Sequence, residues 1–138
     1  MSADELAELF EGKTVLVARL AERENPLDAP YDLIAELTED EKLEALNAHP
    51  AIGARTLSVR SAVEQGTDDD PETIAELDRL NREYEQRFGF RFVVFVNRRP
   101  KSEIVPILRE RLQRTREDEL DTALGELVAI ARDRWERA

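Results

Sequence analysis

The one histidine in this 138-residue chain, His49, is the first residue whose type and position suggest chemistry. It follows a predicted helix and precedes Pro50, and a residue before proline is pushed out of the α region. We therefore expect the imidazole at a helix C-terminus, where the negative end of the dipole favours the protonated ring. Such a ring suits a proton donor or a partner for an anion. A purely structural histidine is the alternative.

A second polar group lies in the run Ser61-Ala-Val-Glu64-Gln65-Gly66. If this run is helical, its hydroxyl, carboxylate and carboxamide lie three and four residues apart on one face. They would then point into the same space and could contact a polar ligand. A solvated polar face is the alternative interpretation.

The third candidate is Arg134, in a predicted final helix over residues 116–136. A helical wheel places it within an apolar arc of Leu120, Leu124, Leu127, Ala131 and Trp135. A buried arginine must find an anion, because burying an unpaired charge is prohibitive. That anion could be an internal carboxylate or a substrate carboxylate, which a guanidinium holds through two parallel hydrogen bonds.

The remaining inventory excludes several classes of chemistry. The chain has no cysteine, so it offers no disulfide, no thiolate metal site and no cysteine nucleophile. One histidine is a poor metal site, and we expect no cofactor and no transition metal. An all-carboxylate magnesium site stays open, although nothing indicates one. Without a nucleotide-binding loop or an obvious Schiff-base lysine, the residues suit proton transfer on a small, anionic, amide-rich molecule.

Composition limits the partners and the compartment. A formal net charge of −11 argues against nucleic acid and against an anionic membrane surface. The longest apolar run, Phe92 to Val96, is far too short to span a bilayer. No segment resembles a secretory leader, so a cytoplasmic protein is expected.

The hydrophobic pattern predicts an all-α fold, with residues 1–138 forming one compact helical domain. Capping boxes at Ser2 and Thr38 and the pair Asp70-Pro71 mark helix starts. Residues 91–97 contain the one strand-like run, which we interpret as a buried extended segment because no second run is available to pair with it. Ser102 is expected to cap a helix with Pro106 in or near its first turn.

Several motifs occur in an order that resembles the 2-oxo-4-hydroxy-4-carboxy-5-ureidoimidazoline (OHCU) decarboxylases. They run from one end of the chain to the other: Phe10-Glu-Gly, Asn47-Ala-His-Pro-Ala-Ile-Gly-Ala, Ser61-x-x-Glu-Gln-Gly, Leu80-Asn-x-x-Tyr-x-x-x-Phe-Gly-Phe-x-Phe, Glu103-Ile-x-x-Ile-Leu and Glu126-Leu-x-x-Ile-Ala-x-x-Arg. The histidine-proline pair, the Glu-Gln pair and the Phe-Gly-Phe-x-Phe run are specific in combination.

This resemblance implies cofactor-independent loss of carbon dioxide from a ureidoimidazoline ring to give (S)-allantoin in urate breakdown, a carboxy-lyase reaction. His49 and Glu64 match catalytic positions of the family. The positions matching its substrate contacts are Pro50, Ser61, Gln65, Arg134 and the main chain of Val93, Val94, Phe95, Val96 and Asn97. Family members are often dimers, so a homodimer is compatible with the resemblance.

The chain departs from the family pattern at a few points. Arg91 stands where many members have proline, and Ile52 where leucine is common. These differences affect the expected specificity more than the expected chemistry. Two alternative functions stay open: a catalytically silent helical module that binds purine breakdown products, and a decarboxylase of a related ring acid.

Overall fold

The computed structural model describes residues 1–49 and 70–137, and within them every regular element is a helix. The all-α prediction is confirmed. The described helices, numbered in chain order, are α1 (Ala3–Phe10), α2 (Val15–Leu20), α3 (Tyr31–Glu36), α4 (Glu39–Ala48), α5 (Pro71–Phe88), α6 (Lys101–Arg111) and α7 (Arg116–Arg137).

Both predicted capping boxes are present. In α1 the Ser2 hydroxyl accepts from the main-chain N–H of Glu5 at 3.1 Å, and the Glu5 carboxylate accepts from the N–H of Ser2 at 3.1 Å. Thr38 and Glu41 make the same reciprocal pair at the start of α4, at 3.2 and 2.9 Å. Each box satisfies two N–H groups that have no partner inside the helix.

The ends of α5 also follow the sequence prediction. The Asp70 carboxylate accepts from the N–H of Thr73 at 3.2 Å, and Pro71 occupies the first helical position, where a missing N–H is harmless. Gly89 ends the helix with a φ of 80°, a left-handed conformation that glycine adopts without steric cost.

The prediction for the start of α6 is wrong. The helix begins at Lys101 after Pro100, so Ser102 is already its second residue and does not cap it. Pro106 consequently lies inside the helix and cannot donate to the carbonyl of Ser102. Both residues are exposed, so water can replace the missing hydrogen bond.

Residues 91–96 form the predicted buried extended segment, with no strand pairing among the described residues. Phe92, Val93, Val94 and Val96 are buried, and Phe95 is half-buried. A turn closes the segment, in which Asn97 and Arg98 have φ values of 50° and 59° and the N–H of Arg99 donates to Val96 O at 3.0 Å.

The core is built around α7, which packs against α1 and α4, while α5 packs against α6. An aromatic cluster joins α5 to the extended segment: the ring of Tyr84 lies 4.6 Å from Phe88, 5.8 Å from Phe90 and 5.2 Å from Phe92, between centroids. None of the helices in residues 1–49 and 70–137 combines the length and apolar character needed to cross a bilayer.

Candidate active site

His49 is the C-cap residue of α4, with extended backbone angles that end the helix as predicted. Its N–H donates to Leu46 O at 3.2 Å, and the residue is 8% exposed. Among the described residues no group forms a hydrogen bond with its buried Nδ1. Within residues 1–49 and 70–137, the described hydrogen bond of this residue to α4 therefore fixes its main chain rather than its ring.

The environment of His49 lowers its pKa from 6.5 to about 4. Burial is the largest cause, because a charged ring loses its hydration there. The positive charges of Arg134 and Arg91 act in the same direction, and the carboxylate of Glu11 opposes them. The expectation of a protonated ring from the helix end is therefore wrong: the ring is neutral near pH 7 and can accept a proton.

Arg134 faces inward from α7, as the helical wheel predicts, and is 2% exposed. Its Nη1 donates to Leu9 O at 2.9 Å and lies 3.1 Å from Oε1 of Glu11. Glu11 is thus an internal carboxylate partner that the sequence analysis did not identify.

Glu11 is placed by an unusual end to α1. As the C-cap residue it has a φ of 63°, in the left-handed region that glycine normally occupies. Gly12 follows, and a Cβ on it would lie 3.1 Å from the Cβ of Ala48, the last residue of α4. The C-terminal ends of α1 and α4 therefore meet, and α7 supplies Arg134 at the same junction.

Arginine side chains hold the carbonyls of the extended segment. Arg111 Nη1 donates to Val93 O at 2.7 Å, while Arg99 Nη2 and Nε donate to Phe95 O and Val96 O at 2.6 and 2.9 Å. The main chain in which the sequence predicts substrate contacts is therefore fixed by side chains that the sequence analysis missed. The contact of Arg111 has no local signal, since Arg111 reaches the segment from α6, whereas Arg99 acts within the turn that follows the segment.

Arg111 itself belongs to a buried network. Its Nε donates to Glu119 Oε1 at 2.7 Å, and the hydroxyl of Tyr84 donates to the same oxygen at 2.6 Å. Burial and this hydrogen bond raise the pKa of Tyr84, which keeps the phenol protonated. The network links α5, α6 and α7 behind the segment.

The other predicted site residues, Pro50, Ser61, Glu64 and Gln65, lie outside the described residues. A cleft of about 520 Å³ opens elsewhere, near Leu27 and Trp135, and none of the predicted site residues is among its described lining. Within residues 1–49 and 70–137, no group of three His, Asp or Glu side chains is arranged to hold a metal ion.

Comparison with protein families gives a match over residues 2–136 to the OHCU decarboxylase model. The chain belongs to the OHCU decarboxylase family. The resemblance carried by the His49, Ser61–Gly66 and Phe88–Phe92 motifs is thereby confirmed.

This family member is similar to proteins from archaea and bacteria. It is 29% identical over 147 residues to the 2-oxo-4-hydroxy-4-carboxy-5-ureidoimidazoline decarboxylase of Haloferax volcanii, covering 93% of this chain and 83% of that protein. It is 31% identical over 143 residues to the uric acid degradation bifunctional protein of Bacillus subtilis, covering 95% of this chain but only 29% of that protein.

The fold of this OHCU decarboxylase family member matches that of a solved relative. The crystal structure of an OHCU decarboxylase in the presence of (S)-allantoin superposes with a TM-score of 0.78 at 22% identity, covering 94% of each chain. The helical architecture is therefore that of the family.

Proposed function

We propose that this protein is a carboxy-lyase that converts OHCU to (S)-allantoin in urate breakdown without a cofactor. Family membership over residues 2–136 supports the reaction class. The observation that carries the proposal is that the buried, neutral His49 lies within electrostatic reach of the buried guanidinium of Arg134. A neutral base next to a fixed cation suits an anionic substrate that must lose a proton from a hydroxyl group.

The chemistry needs one bond broken and one proton added to carbon. The substrate carries its carboxylate and a hydroxyl on the same ring carbon. When the bond to the carboxylate breaks, carbon dioxide leaves, and the electron pair is delocalised into the adjoining unsaturated ring. The ring nitrogen that receives this electron pair takes up a proton from solvent. Loss of the hydroxyl proton and protonation of the neighbouring ring carbon then give allantoin, so the net uptake is one proton.

In this proposal His49 handles those protons. It starts as the neutral base, accepts the hydroxyl proton, and then delivers a proton to carbon from one face of the ring. Delivery from a fixed position explains why a single enantiomer would form. A substrate carboxylate in the site would also raise the pKa of His49 from about 4, because a nearby anion stabilises the imidazolium.

Arg134 is proposed to orient an anionic or carbonyl edge of the substrate. Leu9 O and Glu11 hold the guanidinium at Nη1, so its planar donor fork is oriented before substrate arrives. Preset geometry of this kind reduces the entropy lost on reaching the reactive arrangement.

The remaining contacts are proposed by analogy with the family. Main-chain groups of Val93–Asn97 would hold the ring, Gln65 would pair with an amide edge, and Glu64 would fix the hydroxyl or the ureido arm. Ser61 and Pro50 would complete the pocket. A homodimeric state and a cytoplasmic location stay predictions.

The test is turnover by the purified protein. We expect freshly generated OHCU to be converted to enantiopure (S)-allantoin, followed by circular dichroism, at the same rate before and after prolonged treatment with EDTA. Unaltered spontaneous decay would instead support a silent binding module, and selective turnover of a different ring acid would change the substrate. Loss of activity on chelation, restored by one added metal, would contradict the cofactor-free reaction.

A further inference from the structure

Arg91 connects the extended segment to the end of α4. Its main-chain N–H donates to Oδ1 of Asn47 at 3.1 Å, and its Nη1 donates to the main-chain oxygen of His49 at 2.9 Å. One residue of the segment thus bonds to the last turn of α4 and to the histidine that ends it. On its other side, Arg91 Nε lies 3.9 Å from Oε1 of Glu85 on α5.

The contact to His49 O restrains the histidine at its main chain. Carbonyls at a helix C-terminus have no partner within the helix, so their direction depends on an outside donor. Nδ1 of His49 has no hydrogen-bond partner among the described residues, so the main-chain contact with Arg91 is one of the few restraints described for this histidine. The guanidinium of Arg91 therefore contributes directly to where the imidazole stands.

The same guanidinium also acts on the ring electrostatically. Among the described residues, three charged groups affect His49: Arg134 from α7, Glu11 from the end of α1, and Arg91 from the segment. The two cations favour the neutral ring and Glu11 favours the protonated one. Arg91 is the most exposed of the three, with 40% of its side chain accessible.

We propose that Arg91 is a positioning residue of the decarboxylation site. It holds His49 at a fixed position relative to residues 91–97, the segment proposed to contact the substrate ring. This inference rests on the proposed function, because it assigns the two bonded parts to proton transfer and ring binding. If Arg91 served stability alone, its replacement would change the unfolding midpoint without changing turnover per folded molecule.

The variant Arg91→Gln tests this directly. Its glutamine keeps the main-chain donor to Asn47 but loses the charge and the reach to His49 O. We expect kcat/KM for OHCU to fall roughly 10- to 100-fold, mostly through kcat, because displacing a catalytic group by a fraction of an ångström is costly. Arg91→Lys should recover most of the loss, since its ammonium keeps the charge and a donor.

The matched control is Arg82→Gln. Arg82 lies on α5, and 75% of its side chain is exposed. Its described ion pair, with Asp78 at 2.6 Å, is on the surface. The control makes the same change of net charge, so it removes any effect of overall charge on substrate encounter. We expect its kcat/KM to equal that of the parent protein.

A second readout uses His49 as the one histidine of the chain, so its Hε1 proton NMR signal needs no assignment. Titration should show a higher pKa for His49 in Arg91→Gln than in the parent, and an unchanged pKa in Arg82→Gln. Arg91→Lys should titrate close to the parent.

The outcomes separate this inference from the proposed function. If the parent protein is active and Arg91→Gln matches Arg82→Gln in kcat/KM, the inference is wrong whatever the titration shows. If the parent does not convert OHCU, the proposed function fails by itself. The titration then still decides whether Arg91 affects the pKa of His49. An identical His49 pKa in Arg91→Gln and in the parent overturns that link.

Discussion

His49 shows how burial can outweigh a local electrostatic preference. The helix end by itself favours a protonated ring, but the buried position and two neighbouring arginines lower its pKa to about 4. For catalysis this difference decides the direction of the first proton transfer, because a neutral imidazole accepts and a protonated one donates.

The lowered pKa predicts a specific dependence of stability on pH. In the unfolded chain the ring titrates near 6.5, so below that pH the unfolded state binds more protons than the folded state. The free energy of unfolding is therefore unaffected by the titration of His49 above pH 6.5. It decreases by about 3 kcal/mol as the pH falls from 6.5 to 4, because the unfolded chain takes up the proton first. Urea unfolding at several pH values should show the parent losing more stability than His49→Asn over this range. Parallel pH curves would contradict the lowered pKa.

Arg134 combines a structural and a proposed functional role. Because it is buried and paired with Glu11, Arg134→Gln should lower the free energy of unfolding by about 3 kcal/mol, since a nearly buried carboxylate loses its cation. Arg137→Gln, an exposed change on the same helix, should stay within about 0.5 kcal/mol of the parent.

The double variant Glu11→Gln/Arg134→Gln separates the two roles. It removes both charges, so it should recover part of the stability that Arg134→Gln loses. Turnover should stay low if Arg134 orients the substrate. Recovery of activity together with stability would show that Arg134 serves the fold alone.

At the scale of the elements, the site depends on contacts between distant parts of the chain. The ends of α1 and α4 meet at Gly12 and Ala48, and α7 brings Arg134 to the same place. The extended segment is fixed from α6 through Arg111, whose charge is balanced by Glu119 on α7.

Glu119→Gln tests how far the segment depends on that buried pair. Both side chains are almost fully buried, so the change leaves the charge of Arg111 without its closest anion and should cost about 3–5 kcal/mol of stability. Glu117→Gln, an exposed position in the first turn of α7, is the control and should be close to neutral. Equal unfolding free energies for the two variants would show that the pair contributes little.

Local signals predict most of the helix ends, but not the tertiary partners of the helices. The capping boxes at Ser2 and Thr38 and the stop at Gly89 depend on neighbours within a few residues, so sequence spacing reveals them. The inward face of Arg134 follows from helical periodicity in the same way. Its pairing with Glu11 does not, because it requires α1 and α7 to pack together.

The start of α6 differs from the prediction because the helix begins after Pro100 without a side-chain capping hydrogen bond, so no capping residue marks it. At the site, the prediction of a protonated His49 is wrong because burial lowers its pKa, and burial is a tertiary property that residue spacing does not reveal. The roles of Ser61, Glu64 and Gln65 came from the family resemblance, and they stay predictions.

At the scale of the whole molecule, the excess of acidic residues should make stability depend on salt. The net charge of −11 produces self-repulsion in the folded state, which added ions screen. Raising sodium chloride from about 20 mM to about 500 mM should therefore raise the thermal midpoint at pH 7. At a pH near the calculated isoelectric point of 4.6 the effect should largely disappear. An equal rise at both pH values would indicate a cause other than net charge.

Stereospecific turnover by the parent protein and by His49→Asn tests the central claim most directly. Asparagine has a similar polarity but cannot exchange a proton near neutral pH, and losing a general acid–base group typically costs on the order of 10² to 10⁴ in rate. We predict that the parent converts OHCU to enantiopure (S)-allantoin. His49→Asn should fold normally, as judged by far-ultraviolet circular dichroism and the thermal midpoint at pH 7, yet leave the substrate to decay at its spontaneous rate. A folded His49→Asn protein that formed (S)-allantoin at a rate near that of the parent would contradict the account.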